Sequence, residues 1–166
     1  MKYDHGNGIC GLCNNKSITW GTRNYENANH SVHSGHRLYE LRCSYCYMFR
    51  KDIPSTTRGS HCYFLFAQDR LLVTAGYEWD GATWGVQTKN SFRGTLVHDA
   101  LYHSMRDGIL PQCVRRWADD EFYYMLRDDG MSWLRARTWW ALCRLGGWYY
   151  TKFAVTPPRA WPVRFL

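Results

Sequence analysis

A chain of 166 residues, 45% apolar and 17% aromatic, carries enough apolar surface for a core, which excludes an intrinsically disordered protein. Its net charge of +7 sits at the ends: residues 1–60 hold eight Lys and Arg against four acids, residues 151–166 hold three against none, and the middle is nearly neutral. No run of about 18 uncharged apolar residues exists, which excludes a membrane-spanning helix.

Basic ends suit nucleic acid, an anionic membrane surface met peripherally, or plain solvated surface. The opening "MKYDHGNGICGLC" lacks the apolar segment of a signal peptide, so the seven cysteines are expected in a reducing compartment, where paired cysteines point to zinc rather than disulfides.

Residues 1–60 are polar, with Gly/Asn/Ser runs and no helical period. They contain Cys10-x-x-Cys13 and, after 29 intervening residues, Cys43-x-x-Cys46. Two such turns offer four thiolates to one tetrahedral ion, so a structural zinc ribbon is expected, the alternative being reduced structural thiols. His30, His33 and His36 lie between the pairs and are spare ligands. The interval from Asn27 to Lys51 faintly resembles the zinc framework of HNH endonucleases but lacks that motif's Asp-His opening.

A second region starts near Ser60. "HCYFLF" (61–66) and "RLLVTAGYEW" (70–79) predict a hairpin or neighbouring strands, and "WDGATWG" (79–85) predicts a turn carrying Asp80. Three helices follow, over about 91–105, 113–127 and 132–145, the last ended by Gly146-Gly147. The expected class is α+β: a small N-terminal zinc-ribbon-like module (1–60), a β-hairpin packed on a three-helix body (61–150), and an extended basic tail (151–166).

At about 100° per residue, Phe92, Leu96, Val97, Ala100 and Leu101 make the apolar stripe of the first helix. His98 and Tyr102 stack on one margin of it, Asp99 and His103 nearer the other. On the second helix Val114, Ala118, Phe122, Met125 and Leu126 face inward with Asp119, while Asp120 points away towards Arg116. Asp119 therefore needs a partner, which Arg115, His98 or a metal would supply. Asp80, His98, Asp99 and Asp119 are expected to converge, either as a water-activating site or as a polar network locking two helices together. The third helix is apolar around most of its circumference, which predicts burial, with an interfacial helix as the rival.

The stretches "LLVTAGYEWDGAT", "GTLVHDALYHS" and "RRWADDEFYYMLRDDGMSWLRARTWWALCRLGGW" resemble the DUF1353 family of phage and prophage proteins over residues 61–148, through Asp80, His98 to Tyr102, Arg115 to Phe122 and Gly146-Gly147. That resemblance implies a phage-encoded protein, located in the virion or host cytoplasm, and brings no activity. More loosely, "HDALY" followed by Asp119 resembles the H-D-x-x-Y core of secreted phospholipases A2. It implies His98 as the water-activating base and Asp99 as a calcium ligand, with Tyr102 and Asp119 supporting the histidine. Asp80 would then stand in for that family's Gly-rich calcium loop, which is missing here; the family's disulfides are missing too, and Cys113 and Cys143 read as buried thiols.

Three functions follow as expectations. One is a metal-dependent hydrolase of an ester or phosphoester, phospholipid included, with His98, Asp99, Asp119 and Tyr102 as its catalytic set, Asp80 beside a calcium or other divalent ion, and zinc on Cys10, Cys13, Cys43 and Cys46. The second is a non-enzymatic phage protein, a virion component or a host-factor binder, with the zinc module as its contact surface and the His-Asp network structural. The third is a nucleic-acid binder that stacks bases on the N-terminal aromatics, with Trp20, Arg23, Tyr25, Tyr45, Tyr47 and Arg50 interleaved.

Overall fold

The computed structural model of the protein describes residues 20–23, 38–54, 60–61, 64–67, 69–81 and 88–152. Cys10, Cys13, Tyr25, the histidines at 30, 33 and 36, and the tail beyond Lys152 lie outside the described residues. Within them the class is α+β, with two small antiparallel sheets and three helices.

Strands β1 (Trp20–Arg23), β2 (Leu38–Leu41) and β7 (Glu78–Trp79) form one sheet in the order β1-β2-β7. Strands β3 (Tyr45–Met48), β4 (Ser60–His61), β5 (Phe64–Ala67) and β6 (Arg70–Val73) form the other in the order β3-β6-β5-β4. The expected hairpin is β5–β6, with Phe66 opposite Leu71 and Phe64 opposite Val73. Strand periodicity explains which side is core: Phe64, Phe66, Leu71 and Val73 are buried, whereas Leu65 between them is exposed.

Both sheets cross the boundary drawn at residue 60. Tyr39 pairs with Trp79, and Tyr45 to Met48 pair along the whole of β6. Cys46 is therefore buried in β3 opposite Leu72, and Cys43 is exposed just before it. Tyr45 and Tyr47 belong to the core as well, with the Tyr47 hydroxyl donating to Glu121 at 2.9 Å, and Arg50 holds Asp128 through both carboxylate oxygens at 2.6 Å. These three side chains are thus spent on the fold rather than displayed for base stacking.

Helices α1 (Phe92–Arg106), α2 (Arg115–Asp128) and α3 (Trp133–Lys152) cover the sheets, with a short 3-10 turn (Gln112–Val114) leading into α2. Leu96, Val97, Ala100 and Leu101 of α1 and Val114, Ala118, Phe122, Met125 and Leu126 at or near α2 are buried as their spacing predicts. Gly94 lets the helices close: a Cβ there would stand 3.1 Å from Leu126 and 3.2 Å from Phe122. α2 stops at Gly130, whose φ of +85° suits glycine, while the Met131 N–H reaches back to the Leu126 carbonyl.

The third helix departs from expectation at its end. It runs through Gly146-Gly147 to Lys152 instead of stopping at them. Gly147 serves packing, since a Cβ at that position would overlap the Tyr102 hydroxyl. Asp120 departs too. It accepts from Trp140 Nε1 at 2.8 Å and Arg144 Nη2 at 2.7 Å, so it ties α2 to α3 rather than pairing with Arg116.

Candidate functional site

Asp119 is the centre of the site. Its position on the inner face of α2 leaves it 0% exposed. One oxygen, Oδ1, takes the Tyr102 hydroxyl at 2.6 Å and meets His98 Nε2 at 3.1 Å. The other, Oδ2, has no hydrogen bond, but Arg115 and Arg144 guanidinium nitrogens stand 3.8 and 3.7 Å from it. A buried carboxylate needs such compensation, and here neighbours from all three helices provide it.

His98 reaches Asp119 because it and Tyr102 are one helical turn apart on α1. Its ring lies between Tyr102 and Phe122, at centroid distances of 4.1 and 4.6 Å. Burial pulls the His98 pKa down. The Cys143 side chain and the Asp119 carboxylate, both close to the ring, outweigh that and raise it to about 10. The imidazole therefore holds its proton at neutral pH. Burial and the neighbouring Asp119 charge push the Tyr102 phenol up as well, so it stays a donor.

Cys143 completes the group. It lies on α3, half-buried, seven residues after Ala136 and four before Gly147, on the stripe that faces the other helices. Ligand atoms of His98, Asp119 and Cys143 all lie within 4.8 Å of one another, a spacing at which the three could hold a metal ion. Sequence reasoning placed Cys143 among buried structural thiols. Its spacing to Ala136 and Gly147 was the available signal, hidden once the helix was ended at Gly146.

Asp99 faces a different environment. Its half-buried carboxyl is pushed well above the usual carboxylate range by burial and then by the Asp80 carboxylate beside it. The Asp99 Oδ2 atom is shielded from solvent without a hydrogen-bond partner, and Asp80 is exposed. The structure thus brings Asp80 to Asp99 and His98 to Tyr102 and Asp119, in two groups on either side of α1. Two carboxylates fall short of the six to eight oxygens that calcium takes, so among the described residues the fit to a calcium ion is incomplete. The Asp119 group fits a divalent ion in spacing, yet its carboxylate is already shared by two guanidinium groups.

No protein-family model, no curated protein and no solved structure matches this chain. The functional reading consequently rests on the geometry of His98, Tyr102, Asp119 and Cys143.

Proposed function

We propose that the protein is a hydrolase of esters in which Cys143 is the nucleophile, His98 the proton carrier and Asp119 the group that orients it. The observation that carries this reading is the half-exposed Cys143 within 4.8 Å of a histidine whose Nε2 is fixed by a wholly buried carboxylate. Nucleophile, base and orienting acid in contact are the arrangement that thiol catalysis needs. Cys143 alone of the three meets solvent to an appreciable extent, so it is the member a substrate can touch.

In the first step Cys143 Sγ bonds to the ester carbonyl carbon, the C–O bond breaks, and the His98 imidazolium protonates the departing alcohol. In the second, water attacks the thioester carbonyl carbon, its proton passes to the now neutral His98, and the C–S bond breaks, releasing the acid and restoring the thiolate beside the imidazolium. Tyr102 holds Asp119 in place through its 2.6 Å hydrogen bond and takes no proton in this cycle. A role for His98, Tyr102 and Asp119 together is also what the H-D-x-x-Y resemblance implies. Where that resemblance uses calcium and a histidine base, the nearness of the Cys143 sulfur to His98 favours a thiol nucleophile instead.

The test is a burst assay with p-nitrophenyl acetate, followed by peptide mass spectrometry and elemental analysis of the same sample. The reading predicts a burst of one nitrophenol per chain and an acetyl group on Cys143, both lost in Cys143→Ser and His98→Ala. Absence of the adduct from wild type would sink it. So would one zinc or calcium per chain that is lost in Cys143→Ser, since the same three residues would then be a metal centre.

A further inference from the structure

We infer that the outward face of α3 docks the protein onto an anionic lipid surface. At about 100° per residue, Leu134, Ala141, Leu142, Leu145, Trp148 and Tyr149 fall within an arc of roughly 140°. Leu134 is 69% exposed, Leu145 76% and Trp148 51%, so this arc is uncovered while the opposite stripe of Ala136, Gly147 and Thr151 is buried. Apolar side chains on both sides of a helix leave the second side in need of an apolar neighbour.

Charge selects the neighbour. The 20 residues of α3 include Arg135, Arg137, Arg144 and Lys152 and no acid. Arg137 flanks one edge of the outward arc and Arg135 the other, by the same spacing, while Arg144 is turned to Asp119 and Asp120. Arg137 also stacks over Trp140, 4.1 Å from the ring centroid, a pairing suited to the headgroup depth. Leu134 and Leu145 at the centre, Trp148 and Tyr149 beside them, Arg135 and Arg137 at the margins and Lys152 at the helix end match a helix that lies in the plane of a negatively charged bilayer surface. No described helix is long and apolar enough to cross a membrane, so the contact is peripheral.

A second copy of the chain would bring basic margins against basic margins, which charge repulsion opposes. Docking through this face also leaves Cys143 on the opposite side of the helix, and the inference does not rest on the thiol hydrolase reading.

The experiment is co-sedimentation of the full chain with vesicles of phosphatidylcholine alone and of phosphatidylcholine with phosphatidylglycerol, at low and high salt. Binding at least about tenfold stronger to the phosphatidylglycerol vesicles, weakened by salt, is expected. The double variant Leu145→Glu/Trp148→Glu should lose that binding about tenfold or more with an unchanged melting temperature, since both side chains are exposed. Cys143→Ser should bind like wild type. Failure of wild type to sediment with anionic vesicles overturns the inference, as does undiminished binding by the double variant. A wild-type dimer that the double variant splits, with no vesicle binding, would overturn it too and assign the face to a second copy.

Discussion

Neighbouring residues on α1 serve two acids in opposite ways. His98 leans on Asp119, a fully buried carboxylate ringed by a phenol and two guanidinium groups. The next residue, Asp99, lies beside another carboxylate, Asp80, with one oxygen unpartnered. Burial acts on both acids, and the sign of their neighbours sets them apart. Asp119 is surrounded by compensating groups, and Asp99 is driven towards its neutral form by burial and by the Asp80 carboxylate.

Breaking the compensated side should cost most. Asp119→Ala strands His98, Arg115 and Arg144 around an empty position and is expected to lower stability by about 3–5 kcal/mol, read by urea denaturation. Gly147→Ala should cost about 1–3 kcal/mol, because the new methyl group overlaps the Tyr102 hydroxyl. Tyr102→Phe should cost about 1.5–3 kcal/mol through the lost hydrogen bond to a charged acceptor. The double variant Tyr102→Phe/Gly147→Ala sharpens the comparison: removing the hydroxyl makes room for the methyl, so the two losses should sum to more than the measured total. Strict additivity would show that Gly147 is not placed for Tyr102.

On the uncompensated side the sign reverses. Asp99→Asn should raise the melting temperature at pH 8 by roughly 2–4 °C, since it abolishes the ionisation that Asp80 and burial oppose. A fall instead would mean that the Asp99 charge has a partner.

The pH dependence of His98 tests the compensated side again. Its folded pKa of about 10 lies above the value of about 6.5 for a free imidazole, so its stabilising contribution is complete below pH 6.5 and disappears as pH rises towards 10. Wild type should lose stability across that window more steeply than His98→Asn, measured by thermal melts at constant ionic strength. Parallel profiles would show that His98 is neutral in the folded protein.

How far these features could be read in advance depended on the range of the interaction. The inward turn of Asp119 and the stacking of His98 on Tyr102 follow from helical spacing, a local property, and the β5–β6 hairpin follows from alternation over adjacent segments. The pairing of β2 with β7 and of β3 with β6 joins segments with no shared local pattern, so the 1–60 stretch read as a separate piece. Cys143 was missed for a related reason: of the two glycines read as a helix end, Gly147 is in fact packed against a side chain 45 positions earlier. The expected burial of α3 failed on its outward half, because hydrophobic content reports the wish for an apolar neighbour and not which neighbour supplies it.

The interleaving of the strands bears on how the molecule is made. His98, Tyr102, Asp119, Cys143 and Gly147 all lie in the helical stretch after residue 91, where successive helices contact one another across short connections. The sheets, by contrast, must close loops between β2 and β7 and between β3 and β6. Closure of that kind is slow compared with helix pairing. In a refolding experiment the hydrogen-exchange protection of α1 and α2 should therefore appear before that of β2 and β3. The residues that gather around Asp119 would then be assembled while the sheets are still open.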